Sequence, residues 1–402
     1  MSTIVAETTT ATQGKDLSDI TFQGYLRADG RVGIRNYLLV LSTVALTNRW
    51  ADLIGNKNKD AVAVTGDFLR GLRGNDQVLQ DDVLAKLAMH PNVGAALILC
   101  FDRFSADQWR NRLASAEQSM TILSFMDQKG MVGALEKAAE ELSKLDKQRQ
   151  HSERTPMPLS KLTVALECGG SDVTSAICEN PSVGRFVTSL VKAGGGAIIS
   201  ETAEFIGAED IVRERAVSPE VAEQIRACIS AADERTAEDG ERYRGVNPTQ
   251  ENIEAGLTTL VEKSMGAVCK IGALPINGCL NFAREPPEGG LYFMDTPFFS
   301  PVSLSGMAAS GAQITLFALG VFNPSGNPLV PNIKVCGNTD TLSTWDDSID
   351  ISVSGLLDRS ITLDEAAEKI AAMVMKVASG QESRAEYWGE GQVIVPKTSA
   401  LI

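Results

Sequence analysis

Cys168-Gly169-Gly170-Ser171-Asp172 gathers a thiol, a hydroxyl and a carboxylate into one short segment. The apolar run Leu162–Leu166 ahead of it reads as a buried strand. Two glycines after a strand let the backbone turn tightly and approach a ligand. A helix starting near Ser171 and Asp172 would present free N–H groups that suit an anion. The carboxyl end of a strand is where open α/β sheets bind their ligands. Taken alone, a tight turn capped by an aspartate explains the segment equally well, because turns use the same residues.

Glu201 and Glu204 follow the apolar run Ala197–Ser200. Their spacing can place both carboxylates on one face of a helical turn. Oxygen-rich pairs suit a hard divalent ion such as Mn2+, Mg2+ or Fe2+. A solvated acidic helix start is the bland alternative. Lys270 lies between Cys269 and Ile271 in an apolar stretch. A buried lysine is either functional or ion-paired, and Lys334 in Asn332–Asn338 has the same character. Arg27, Arg31 and Arg35 fall in the glycine-bearing stretch from Gly24 to Asn36, which reads as an irregular loop. Guanidinium groups there could clamp a carboxylate by paired hydrogen bonds, or simply pair with acids on the surface.

These residues need a scaffold, and the pattern of the chain predicts one. Apolar runs at Tyr37–Val44, Val62–Thr65, Ala95–Cys100 and Met120–Phe125 read as strands, with helices at Asp81–Met89 and Met131–Leu145. After Leu162–Leu166 come a helix at Pro181–Ala193, a strand at Ala197–Ser200, and helices at Pro219–Ala232 and Gln250–Met265. Strands at Ile314–Leu319 and Asn332–Val335 precede a last helix at Leu363–Ser379. This alternation predicts an α/β fold of two domains, each a mostly parallel, Rossmann-like sheet flanked by helices. The expected boundaries are a disordered leader over 1–18, an N-terminal domain over 19–145, a linker over 146–158, and a C-terminal domain over 159–402.

Composition narrows the function. The chain has 402 residues, 44% of them apolar, and a formal net charge of −14. That charge argues against nonspecific binding to nucleic acid or to an anionic membrane. No apolar run approaches the roughly 20 residues of a membrane helix. Seven cysteines without close pairing read as reduced thiols of a cytoplasmic protein. Only His90 and His151 are present, which disfavours a histidine zinc site or a Ser-His-Asp triad. No Walker loop or dinucleotide fingerprint occurs, since Gly194-Gly195-Gly196 closes a helix and opens none.

Taken together, the segments resemble the altronate/galactarate dehydratase family. The matching pieces run from Phe22-Gln23-Gly24-Tyr25 and Arg35-Asn36-Tyr37 through His90-Pro91-Asn92-Val93 to Cys168–Asp172 and Asn180-Pro181. They continue with Ser200-Glu201 and Glu204, Gly207-Ala208-Glu209, Lys270, Arg284-Glu285-Pro286 and Met294-Asp295-Thr296-Pro297. Pro331 with Lys334 and Asn338, and Ala378-Ser379-Gly380, complete the match. A dozen short motifs in order are far more specific than any one of them.

The resemblance implies a metal-assisted lyase that removes water from a sugar acid or related hydroxycarboxylate to give a 2-keto-3-deoxy acid. Fe2+ or Mn2+ is the implied ion, with Mg2+ as a further candidate. The implied catalytic residues are Cys168, Ser171, Asp172 and Lys270. Substrate binding falls to Arg31, Arg35, Asn36, Asn180, Lys334 and Asn338, and metal binding to Glu201 and Glu204. Relatives that eliminate sulfite from sulfolactate make a sulfo-lyase large subunit the first alternative. A noncatalytic regulatory or scaffolding paralogue is the second. Full-length members begin with a small β-rich (SAF-type) domain, so a separate small subunit is the expected partner, alongside homo-oligomerisation. The chain departs from the family's His, Gly-Cys and Gly-Cys-Glu pattern at Thr65–Leu72 and Cys100–Arg103, and from its Thr-Gly-Arg-Gly segment at Ala318–Phe322. Those departures put the standard substrate and metal site in question.

Overall fold

The structure, a computed structural model, describes residues 17–58, 60–237 and 247–398. Of the leader expected over 1–18, only Leu17 and Ser18 fall within them. Strands β1 (Thr21–Leu26) and β2 (Val32–Gly33) form an antiparallel hairpin where the sequence predicts an irregular loop. Gly30, at φ 83°, makes the turn. Phe22 and Val32 then bury their side chains in the core of the larger sheet.

The first parallel sheet follows. It is built from β3 (Tyr37–Ser42), α1 (Asn48–Gly55), β4 (Ala61–Val64), α2 (Gly74–Ala88), β5 (Val93–Cys100), α3 (Arg103–Arg112), β6 (Ser119–Ser124) and α4 (Gly130–Arg149). Its strand order is β4-β3-β5-β6. Residues 146–149 complete α4, and β7 (Thr155–Pro158) pairs antiparallel with β1, so most of the expected linker is regular structure.

The second sheet starts with β8 (Thr163–Cys168), α5 (Glu179–Lys192), β9 (Gly196–Ile199), α6 (Glu209–Arg215) and α7 (Pro219–Ala237). Helices α8 (Gln250–Glu254) and α9 (Leu260–Val268) replace the single helix expected over Gln250–Met265. Gly256, at φ 103°, breaks it, and Thr249 and Thr259 cap the two pieces. Strands β10 (Ile276–Leu280) and β11 (Gly290–Met294) follow, then α10 (Ser300–Ala309), β12 (Ile314–Leu319), β13 (Asn332–Cys336), α11 (Thr339–Trp345), β14 (Ile351–Ser352), α12 (Leu363–Ala378) and α13 (Arg384–Trp388). All seven strands are parallel, in the order β10-β11-β9-β8-β12-β13-β14. The fold is thus α/β with parallel sheets flanked by helices. Every residue of β12 is buried, as expected when helices cover both faces. Among the described residues no helix is long and apolar enough to cross a membrane.

The two sheets are interlocked. Ala308, Ala309, Leu329, Val330, Val393 and Val395 pack into the core of the first sheet. Asn92 donates to the carbonyls of Gln313 and Leu329 and accepts from the N–H of Ile34. His90 Nδ1 accepts from the Asn92 N–H at 3.1 Å, which places its proton on Nε2, 3.0 Å from the Ala312 carbonyl. Burial, partly offset by that carbonyl, pushes the imidazolium down from 6.5 to about 3. The unfolded chain protonates this ring near 6.5, the folded chain only near 3. Stability from the neutral ring is complete above 6.5 and falls with pH by about 1.4 kcal/mol per unit. The stability difference between wild type and His90→Gln, read by urea unfolding, should therefore shrink by about 2 kcal/mol from pH 6.5 to 5. Carboxyls that titrate in both proteins cancel in this difference. Parallel curves would show that His90 is charged in the fold.

Candidate active site

Cys168 closes β8, the middle strand of the seven, and is flanked by loops from other carboxyl ends. Glu201 follows β9, Thr296 follows β11, Gly320 follows β12 and Asn338 follows β13. This is the crevice in which doubly wound sheets place their ligands. The Cys168 N–H donates to Glu201 Oε2 at 3.0 Å. Lys270, in a turn just past α9, donates to Cys168 Sγ at 2.7 Å and lies 3.4 Å from Glu204 Oε2. Lys263 of α9 reaches the other oxygen of Glu204 at 3.2 Å and donates to Asn247 Oδ1 at 3.1 Å. All of these side chains are buried. Glu201 holds φ 64°, a left-handed conformation that strains a residue with a Cβ by roughly 1–3 kcal/mol. The hydrogen bond from its N–H to Thr296 Oγ1, 2.7 Å, and its own side-chain bond to Cys168 keep it there.

Electrostatics separate the acids. Burial alone would neutralise Glu204, but Lys263 and Lys270 hold it below the usual carboxylate range. Burial, with Glu167 and Glu204 nearby, pushes Glu201 well above that range. Burial also raises the Cys168 thiol, and the surrounding anions keep Lys270 charged. Glu167 accepts from Ser200 and Ser303 through Oε2, at 2.6 and 2.8 Å, while its buried Oε1 has no partner. Burial lifts it to about 8. Ionised, these four acids would carry two more negative charges than the two lysines balance, which is the charge of one divalent cation. Donor atoms of Cys168, Glu201 and Glu204 lie within 4.8 Å of one another, so the group fits such an ion.

The glycine loop is a tight turn. Its N–H groups pair with the carbonyls of Ala318 and Val321, and a Cβ on Gly170 would meet Val321 O at 2.5 Å. Helix α5 begins only at Glu179, so no helix N-terminus meets Ser171 and Asp172. Asp172 Oδ1 instead accepts from Thr174 and Ser175, and Oδ2 accepts from Asn338 Nδ2 at 2.5 Å. Asn180 Oδ1 lies 3.9 Å from Cys168 Sγ. Ser171, Asp172, Asn180 and Lys263 line a recess of about 30 Å³.

The expected substrate clamp does not form at this centre. Arg35 is buried and spends all five donors on protein: Glu386 takes two, and the carbonyls of Ile34, Val377 and Gln381 take the rest. Asn36 is held by Arg27 and by the Arg149 carbonyl. Arg31 pairs with Asp29 and Glu285 beside Thr163 and Gly196, where β8 and β9 begin, the opposite end of the sheet from Cys168. Lys334 ion-pairs with Glu390 and faces the Phe322 ring. The reason is common to all four: a polar side chain close in sequence to a strand can face either end or either side of the sheet. Glu167, Lys263 and Asn247 escaped sequence reading, and Thr296 entered it only within the Met294–Pro297 motif, without a role. A carboxylate ending an apolar strand was a usable signal for Glu167. Lys263 carried none, since its helix reads as ordinary.

Of the departure segments, Ala318–Phe322 backs the glycine loop, while the other two meet elsewhere. Leu69, Arg70 and Phe101 help line a cleft of about 780 Å³ at the carboxyl ends of β3 and β5. Its arginines are paired within the protein, Arg70 with Asp102 and Arg112 with Asp81 and Asp82.

Comparison with known proteins matches residues 159–401 to the model of the D-galactarate/altronate dehydratase C-terminal domain. Residues 24–150 match that of the D-galactarate dehydratase/altronate hydrolase second domain. The (2R)-sulfolactate sulfo-lyase subunit beta of Chromohalobacter salexigens is 32% identical, over 95% of this chain and 98% of its own length. Altronate dehydratase of Bacillus subtilis is 29% identical, over 90% of this chain and 74% of its own length. Galactarate dehydratase (L-threo-forming) of Escherichia coli is 28% identical, over 93% and 76%.

Proposed function

Because this chain belongs to the D-galactarate/altronate dehydratase family, we propose that it is a lyase subunit that removes water from a small hydroxycarboxylate. The observation that carries this reading is the buried group of Cys168, Glu201, Glu204 and Lys270 at the carboxyl end of the central strand. Loss of a β-hydroxyl requires removal of the proton α to a carboxylate, and the resulting enediolate must be stabilised. Cys168, Glu201 and Glu204 would hold Fe2+, Mn2+ or Mg2+, which supplies Lewis-acid polarisation of the substrate carboxylate. Lys270 keeps its charge in a dry site, where it opposes the negative charge that develops. Its ammonium also favours the anionic forms of Cys168 and Glu204, the forms in which both would bind the ion. Ser171, Asp172 and Asn180 line the recess and would orient the leaving hydroxyl.

That recess has room for little more than one water. Parting α8 and α9 from it would open a path for substrate towards the centre. The contacts that must open are Asn252 to the Ser171 carbonyl, 2.8 Å, and Lys263 to Glu204. A small partner subunit is the proposed agent that arranges this opening and completes the water-excluded site. Support comes from a relative named as a subunit beta, whose length this chain covers almost entirely.

The same match favours a second reading, in which sulfite leaves a sulfonated lactate. The chain spans 98% of that sulfo-lyase subunit but about three quarters of the dehydratases. Assays of sugar acids and sulfolactate with Fe2+ or Mn2+, with the chain alone and with its small subunit, separate the readings. We expect little turnover from the chain alone and activity on adding the subunit. Equal activity without it would eliminate the partner's role. No activity in either preparation would favour a noncatalytic paralogue. Glu201→Gln, which keeps a hydrogen-bond acceptor but loses the charge, should bind Mn2+ at least tenfold more weakly, about 1.4 kcal/mol. Titration calorimetry showing unchanged affinity would remove Glu201 from the ligand set.

A further inference from the structure

We propose that Cys228 and Cys279 are a peroxide-reactive thiol pair that closes a reversible disulfide between α7 and β10. Cys228 lies on α7 and Cys279 on β10, an edge strand of the larger sheet. Their sulfurs are 3.8 Å apart although 51 residues separate them in sequence. A disulfide needs about 2.05 Å, so closure asks for roughly 1.8 Å of approach, within reach of side-chain rotation and a small helix shift. Both thiols are half-buried, so a small hydroperoxide reaches them, whereas Cys168, Cys178 and Cys336 are buried.

The pair is asymmetric. Contact with the Cys279 sulfur, with Arg235 nearby, holds the Cys228 thiol below its ordinary value, against burial and Asp295. Cys279 is correspondingly raised. Cys228, two helical turns before Arg235 on α7, is assigned as the attacking thiolate. Its sulfur takes an oxygen from the hydroperoxide as the O–O bond breaks. Cys228 is oxidised to the sulfenic acid, and the peroxide is reduced to the alcohol, or to water from hydrogen peroxide. The Cys279 sulfur then attacks the sulfenic sulfur. The S–S bond forms, the S–O bond breaks, and the departing hydroxide leaves as water with the Cys279 proton. A dithiol reverses the reaction by exchange.

Closure would be felt at the candidate active site. Asp295 faces both thiols and accepts from Thr202 Oγ1 at 2.6 Å. Thr202 Oγ1 accepts from the Thr296 N–H at 3.1 Å, and Thr296 Oγ1 accepts from the N–H of Glu201. Helix α7 also packs on the turn that carries Glu204. Drawing α7 towards β10 thus bears on the seats of both carboxylates. This coupling, unlike the disulfide itself, rests on the metal-binding reading above.

The test treats the full chain with hydrogen peroxide, blocks remaining thiols, and maps peptides without reduction. The expected result is a peptide containing Cys228 joined to one containing Cys279, lost on dithiothreitol treatment and absent from Cys228→Ser. Separate sulfinic or sulfonic products at these positions, or two unreacted thiols, would overturn the pair. Mn2+ titration of the linked chain should show at least fivefold weaker binding, restored by dithiothreitol, with no such reversible change in Cys228→Ser. A linked chain with unchanged Mn2+ affinity overturns the coupling. Failure of the reduced chain to bind Mn2+ overturns the metal reading and with it the coupling, while the linked peptide still decides the pair.

Discussion

Lys270→Met should lower turnover by about 10²–10⁴-fold, equivalent to about 3–5 kcal/mol of barrier. Methionine fills a similar volume at this buried position, so the packing of the Cys269–Ile271 turn is retained. What disappears is the one positive charge that touches both the Cys168 sulfur and Glu204. Glu204 keeps Lys263 at 3.2 Å, which spares it from becoming an unpaired buried anion. The fold should therefore survive, and circular dichroism together with urea unfolding checks that it does. A folded variant within tenfold of wild-type turnover, measured on the best substrate with the proposed small subunit present, would place the chemistry elsewhere.

Arg35→Ala should be lost chiefly to stability, by about 3–5 kcal/mol, the usual effect of removing one partner from a buried ion pair. Its guanidinium joins the segment before β3 to α12 and α13 through Glu386 and two carbonyls. Glu386 is held ionised against burial mainly by this contact, with Tyr37 donating to the same carboxylate at 2.7 Å. Without Arg35 that carboxylate is stranded. Against a total stability of about 5–15 kcal/mol, much of the variant should be unfolded under mild denaturant. Whatever remains folded should keep the wild-type Michaelis constant. A raised Michaelis constant at unchanged urea midpoint would restore Arg35 to the substrate.

The sequence by itself determined the fold class, and it singled out most of the residues that gather at the candidate centre. Parallel strands covered on both faces must be continuous apolar runs, and Ile314–Leu319, Ala95–Cys100 and Leu162–Leu166 are such runs. Cys168 ends one apolar run and Glu201 follows another, so strands running parallel send both to the carboxyl end of the sheet, where β8 and β9 pair. Lys270 could be singled out because an ammonium in an apolar stretch demands a partner. Strands β1, β2, β7, β10 and β11 were invisible: they are short, glycine, asparagine or proline interrupts most of them, and β1 and β11 form through partners distant in sequence. Tertiary structure also decided which cations matter. Lys263 and Lys270 enter the site from α9 and the turn beyond it, while Arg31, Arg35 and Lys334 are consumed by Asp29, Glu386 and Glu390. Local pattern tells that a charge must be neutralised; only the packing of separate elements tells by what.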